Sequence, residues 1–321
     1  MPKTLPAARV AVGASLVLLF LLSLGIGVDD LSIRSAAVDP AALQLLLVSR
    51  LPRTLAAILV GAGLAIAGLV MQILVRNRFV EPTTTGTDQS AALGVLAVTI
   101  LFPAASIATK TVVAAGAALA GTSAFLAMAH RLPPTQPFLI PLFGLIFGGV
   151  VGAAVTFIAW QFDLLQFVDV WTKGEFSGVL RGRYEMLWLV AAAVVFAWWI
   201  ADRLTIASMG RDISTGLGLN YQRIVQLGLV MIAIISALGV VVVGMIPFVG
   251  LVVPNLVSRL MGDNLRAALP WVAATGSTLV LGCDILGRVI RYPYEIPVGT
   301  VLGVVGAGLF LWILFRRTDH G

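Results

Sequence analysis

The sequence predicts an all-α protein that crosses a membrane about ten times, as a single transmembrane domain over residues 1–321. Three observations carry that prediction. Of the residues, 59% are hydrophobic and only 11% are charged, whereas a soluble domain carries about 25% charged residues. The mean hydropathy is +1.02. Apolar runs of roughly 20 residues, the length a helix needs to cross a bilayer core, recur between short polar or Pro- and Gly-bearing breaks.

Taken in order, Lys3 and Arg9 precede an apolar run from Val10 to Val28. It is long for a signal-peptide core and no small-x-small cleavage site follows, so it reads as the first membrane helix. Residues 29–49 are polar enough to lie outside the bilayer. Arg50-Leu-Pro-Arg53 then opens the second helix, with Pro52 in a first-turn position where its missing N–H costs nothing. The span Thr54 to Val75 is uncharged and carries Gly61, Gly63 and Gly68. Those glycines are poor choices for a soluble helix but let membrane helices approach closely. Arg76 to Asp88 is a polar elbow broken by Pro82 and Gly86. Irregular polar backbone between spans survives only inside protein, along a water-lined cavity or at the interface.

Further spans follow over Ser90 to Phe102, Thr111 to Ala129 and, after a Pro-rich loop at 130–137, Phe138 to Phe162. In the last, Gly144, Gly148 and Gly152 share one helix face and predict a close helix contact. Asp163 to Glu185 reads as an amphipathic, loop-like segment, and Met186 to Ala201 as a short span. Asp202 to Arg223 is too polar for a span and too patterned for a linker, with Gly210, Gly216 and Gly218 interrupting two short helical stretches. Ile224 to Ser258 is uncharged but broken by Pro247 and Pro254, giving one full span and one shorter, tilted one. Ala267 to Ile285 and Ile296 to Phe315 complete the set.

The formal net charge is +6, which arginines beside lipid headgroups account for without any nucleic-acid partner. With an inside N-terminus and ten spans, both termini lie inside. The 21 Lys and Arg residues then divide twelve inside to nine outside, which favours this orientation only slightly. Arg50, Arg53, Arg288 and Arg291 fall at helix ends on the outside, where that rule gives no reason for them. Docking of an acidic partner and snorkelling to headgroups both remain open readings at this point.

Catalytic chemistry finds little foothold. The chain has no phosphate-binding G-x-x-x-x-G-K-[ST] loop, no H-E-x-x-H and no G-x-S-x-G. Cys283 is the single cysteine and cannot form an internal disulfide. His130 and His320 lack ligand spacing, so neither a metal nor a cofactor is expected. Ion-coupled carriers usually hold carboxylates at membrane depth, and here the candidates are only Asp88 and Asp284. Energy therefore enters from outside the chain, and 202–223 is the sizeable inside surface on which a partner could act.

Those residues carry a resemblance. From about Arg9 to Arg317 the chain resembles the FecCD-type permease subunits of bacterial ABC importers for iron-siderophores, haem and vitamin B12. The matching motifs are Arg50-Leu-Pro-Arg53, Gly61-Ala-Gly-Leu-Ala, Arg76-Asn-Arg-Phe-Val-Glu-Pro82, Gly250-Leu-Val-Val-Pro254 with Arg259, and Ile296-Pro-Val-Gly299. The resemblance implies a ten-helix subunit paired with a second permease, two ATPase subunits beneath it and a periplasmic or lipid-anchored substrate-binding protein above it. It implies residence in the bacterial cytoplasmic membrane. It gives Arg50, Arg53 and Arg288 the role of meeting glutamates on the binding protein, with Arg291 a neighbour outside that pattern. Ser208, Met209, Gly210, Arg211, Asp212, Gly216, Leu217, Gly218, Leu219 and Asn220 match the paired short helices that seat in an ATPase cleft. Asn77, Pro82, Thr135 and Gln136 are expected along the pathway and its gate.

Departures from the common pattern narrow the substrate. Asn77-Arg78-Phe79 stands where many relatives have Asn-Pro-Leu, Pro254-Asn255 where they have Pro-His, and Arg211-Asp212 where an acidic pair is common. The stretch from Arg76 to Gly94 is similar to a branch that handles siderophores, often catecholates, in which two different permeases pair. The expected substrate is thus a ferric siderophore, with haem or vitamin B12 as the alternative. A self-sufficient ion-coupled carrier is a reading from a different class.

Overall fold

A computed structural model describes residues 5–27, 40–133, 136, 138–261 and 264–315, with side chains from residue 10 onward. The helices, in chain order, are α1 (Leu5–Gly25), α2 (Pro40–Val75), α3 (Thr87–Leu101), α4 (Ile107–Ala129), α5 (Leu139–Gln161) and α6 (Leu165–Lys173). They continue as α7 (Trp188–Trp199), α8 (Ala201–Ser208), α9 (Arg211–Gly216), α10 (Tyr221–Val242), α11 (Val249–Met261), α12 (Leu265–Val289) and α13 (Val298–Phe315). Among the described residues no strand is present. Six helices, α2, α4, α5, α10, α12 and α13, are long and apolar enough to cross a membrane, and α7 with α8 qualifies as one span bent by 64°. Three shorter apolar helices, the 10–25 part of α1, α3 and α11, bring the number of apolar segments among the described residues to ten.

The organising element is α2. It packs against α12, α10, α11 and α7, and 78% of its apolar window is buried, against 22% for α5. Helix α2 is therefore the core of the bundle, while α5 turns most of its apolar surface outward. Glycine makes the closest approaches possible. A Cβ at Gly61 would lie 2.5 Å from the Gly276 carbonyl oxygen of α12, and one at Gly68 would run into the backbone of Gly250 in α11. Backbone-to-backbone packing of this kind is how membrane helices gain contact when the hydrophobic effect no longer drives them together. The face bearing Gly144 and Gly148 packs in the same way on the elbow, where a Cβ at Gly144 would meet the Thr84 carbonyl oxygen at 2.9 Å.

Two boundaries differ from the sequence expectation. Helix α2 begins at Pro40 rather than Arg50, so Pro52 lies inside a continuous 36-residue helix. A π-helical turn over Leu46–Arg50 accommodates it. Proline at 52 cannot donate to the carbonyl four residues back, and that carbonyl, on Val48, instead accepts the Arg181 N–H at 2.9 Å. Within the expected loop at 163–185, residues Leu165–Lys173 form α6, an amphipathic helix whose polar face masks it in a hydropathy scan. Residues 29–39 of the expected first loop lie outside the described residues.

Candidate functional site

The functional candidates fall around two positions on α2, Arg53 toward its first end and Arg76 just past its last residue, about 35 Å apart at 1.5 Å rise per residue. At the first end, arginines converge on the C-terminus of α1. The last carbonyls of any helix lack intrahelical partners and carry partial negative charge. Arg50 Nη1 donates to Leu24 O at 2.9 Å and Gly25 O at 3.0 Å. Arg288 Nη1 donates to Ser23 O at 3.1 Å and Ile26 O at 3.0 Å, and its Nη2 to Ser23 Oγ at 2.6 Å. The Ser23 hydroxyl in turn lies 2.7 Å from that of Thr54 on α2. Two side chains from α2 and α12 thus act together as the cap of α1.

Arg53 faces a different set of partners. Its Nη2 meets Asp284 Oδ1 at 2.8 Å, and its Nη1 lies 2.9 Å from both Glu295 carboxylate oxygens. Asp284 also pairs with Arg288 at 2.8 Å. Arg50, Arg288 and Asp284 are all buried, Arg53 retains a small exposed edge, and Glu295 and Arg291 are open. Arg291 stacks its guanidinium on Tyr294, 5.8 Å from the ring centroid. The four expected docking arginines are therefore brought together, but three of them, Arg50, Arg53 and Arg288, spend hydrogen bonds inside the subunit. Asp284 and Glu295 were the partners that sequence reasoning missed. The i, i+4 spacing of Asp284 and Arg288 on one helix was the available signal.

At the other end of α2, Arg76 terminates the helix in the left-handed conformation, with φ 54°. The elbow that follows is stitched to α11. Gln72 Nε2 donates to Gly250 O at 3.0 Å and Asn255 Nδ2 to Arg78 O at 2.8 Å. Glu81 is buried, and its carboxylate accepts the N–H groups of Phe248 and Leu251 at 2.9 and 3.0 Å. An anion on a helix N-terminus satisfies orphan donors and complements the dipole, so Glu81 is the cap of α11. Asn77 and Pro82, both expected along the pathway, are buried in this elbow. Asn77 Oδ1 accepts from Phe79 N at 2.8 Å, and Pro82 O accepts from Thr87 N at 3.1 Å. Gln136 is exposed, and Thr135 lies outside the described residues. A cavity of about 300 Å³ opens beside the elbow, lined by Thr83, Gln89, Gly148, Gly152, Trp171 and Met245 among others.

The expected coupling residues form a compact helix–turn–helix, α8 and α9, joined at Gly210. That glycine has φ 110°, a conformation that side chains disfavour. Ser214 Oγ ties the two helices by donating to Ile206 O at 3.0 Å. Ser208, Arg211, Asp212, Gly216, Gly218 and Asn220 are exposed, Leu219 is half-buried and Gly210 is buried. Met209, Ile213 and Leu217 are 56%, 52% and 62% exposed. Ile213 and Leu217 lie four residues apart on the same side of α9, and Met209 stands just before the turn at Gly210, so the three form an exposed apolar stripe at the helix pair, flanked by Arg211 and Asp212. Such a stripe on an otherwise polar element is what a partner surface covers. Asn220 caps α10 by accepting the Arg223 N–H at 3.0 Å.

Comparison with known proteins agrees with this architecture. A model of the FecCD transport family matches residues 15–316. The petrobactin import system permease protein YclN of Bacillus subtilis is 44% identical over 306 residues, covering 95% of this chain and 97% of its own. The ferric-anguibactin transport system permease protein FatD of Vibrio anguillarum is 39% identical over 271 residues, covering 84% and 86% of the two chains. Among solved structures, an inward-facing metal-chelate type ABC transporter superposes with a TM-score of 0.82 at 25% identity, over 97% of this chain and 99% of its own.

Proposed function

Because this chain belongs to the FecCD transport family, we propose that it imports ferric siderophore as the membrane-spanning permease of an ATP-driven transporter. The observation that carries the substrate class is the identity of 44% and 39% to permeases whose names specify petrobactin and ferric anguibactin. Vitamin B12 permeases match at 32%, which supports the siderophore side of the family. A catecholate group on the siderophore fits the same reading.

In the proposed cycle, two ATPase subunits on the cytoplasmic side receive the Met209–Ile213–Leu217 stripe of α8 and α9. ATP binding and hydrolysis move this helix pair, and α2 and the elbow transmit the motion to the pathway beside Thr83 and Gln89. A substrate-binding protein delivers cargo at the opposite, outer end. There Arg291 presents the open positive charge and Arg53 an exposed edge already paired with Glu295, while Arg50 and Arg288 act by holding α1 and Asp284 in place. A second permease completes the pathway, and a different chain is favoured over a copy of this one. Asn77, Pro82, Thr135 and Gln136 belong to the inner half of the pathway in this reading. Both termini lie in the cytoplasm.

The test is reconstitution of the permease pair with its ATPase and binding protein in liposomes, followed with iron-labelled siderophore. Uptake is expected only with ATP and all components present. Uptake by this chain alone, driven by a proton or sodium gradient, would replace the importer with a secondary carrier.

A further inference from the structure

A second cavity, larger than the one beside the pathway, lies at the elbow end of α2. It encloses about 500 Å³ between α2, α8, α11 and α12. Arg76 and Arg78 line it together with the polar groups of Ser208, Asn255 and Ser258, and no carboxylate lines it among the described residues. The rest of the lining is largely apolar, with Leu69, Ile73, Leu265 and Val272 among its residues. A cavity with two guanidiniums, neutral polar side chains and apolar residues, placed where a membrane helix ends, matches one class of ligand. Guanidinium recognises phosphate through paired hydrogen bonds, and basic pockets between membrane helices on the cytoplasmic side hold anionic lipid headgroups. The apolar lining gives the first part of an acyl chain a dry surface that a free anion would leave unused.

We propose that this cavity binds the phosphate headgroup of an anionic phospholipid and that its occupancy tunes the helix pair α8–α9. The link to α8–α9 is direct. The Arg76 guanidinium packs so closely on the turn between them that a Cβ at Gly210 would overlap its Nη2. Ser208, the last residue of α8, is itself part of the cavity wall. A headgroup that engages Arg76 therefore acts on the turn joining the two helices. The functional consequence rests on α8–α9 being the ATPase contact; the binding itself does not.

The experiment uses the complete transporter in nanodiscs of phosphatidylcholine, with or without about one-fifth phosphatidylglycerol or cardiolipin. Native mass spectrometry reads lipid retained on the permease, and ATPase rate is measured in parallel. Wild type is expected to retain anionic lipid at least about fivefold better than the double variant Arg76→Gln with Arg78→Gln. Arg131→Gln, at an exposed loop, should retain it as wild type does. Ser258→Leu, which fills the cavity from α11 without altering charge, should also lose the lipid, which separates loss of a site from loss of folding. Equal lipid retention by wild type and both cavity variants would overturn the site. Inorganic phosphate reproducing the ATPase effect in pure phosphatidylcholine would overturn the lipid assignment in favour of a free anion. Loss of lipid with no change in ATPase rate would keep the site and count against α8–α9 as the coupling pair.

Discussion

The two ends of α2 treat charge in opposite ways. At the end carrying Arg53, the guanidiniums find their partners within the subunit: Arg50 the carbonyls of α1, Arg288 α1 and Asp284, and Arg53 Asp284 and Glu295, with Arg288 Nε left unbonded among the described residues. At the other end, the charged side chains of α8 and α9 are open and stand beside a bare apolar stripe. Even the ion pair there, Arg266 with Asp202, is exposed. Paired and buried charge holds a shape, whereas exposed charge beside exposed apolar surface awaits a partner. The arginine end is therefore assembled within the subunit, and the helix-pair end is completed by something else.

The largest expected effect breaks the first half of that contrast. Asp284→Ala leaves Arg53 and Arg288 buried without their shared carboxylate, and removing one member of a buried pair costs about 3–5 kcal/mol. Thermal unfolding of the purified permease should show a loss of that order. A change below about 1 kcal/mol would mean that the cluster is solvated and the ion pairs are incidental.

A smaller effect sharpens the second half. Replacing Met209, Ile213 and Leu217 together by serine should leave the unfolding temperature unchanged, since these side chains already face outward. Association with the ATPase should weaken at least about tenfold, or about 1.4 kcal/mol, in a pull-down titration. Full retention of the ATPase would assign the stripe to some other contact.

Smallest is the effect at the accessible rim of the arginine end. Arg291→Glu should raise the Kd for the substrate-binding protein about two- to fivefold, mostly through a slower and more salt-sensitive on-rate, as rim charges do. An unchanged on-rate in surface-binding kinetics would remove Arg291 from the docking surface.

The limits of the sequence reading follow the same division. Spans, glycine seams and the elbow are local or periodic features, so Gly61, Gly68, Gly144 and the Arg76–Asp88 break are legible from the order of residues alone. The helix pair is legible too, because Gly210 and the polar pattern lie within one short segment. The arginine cluster is visible as residues but not as an arrangement. Whether Arg53 faces outward or toward Asp284 depends on a contact across 231 positions of chain, which no local pattern encodes. Glu81 is similar: it lies inside a recognisable motif, yet its partners are the N–H groups of Phe248 and Leu251, far along the chain. The π turn before Pro52 was hidden for another reason. Proline reads as a helix start, and only the carbonyl of Val48 finding Arg181 N–H lets the helix continue through it.

The most direct test of the importer account is purification of this chain from its native membrane in mild detergent, with mass spectrometry of what accompanies it. The account predicts an ATP-binding cassette subunit held through α8–α9, together with a second, different permease, and loss of that ATPase on changing the Met209–Ile213–Leu217 stripe to serine. A stable, solitary chain that moves substrate across liposomes without ATP would contradict it.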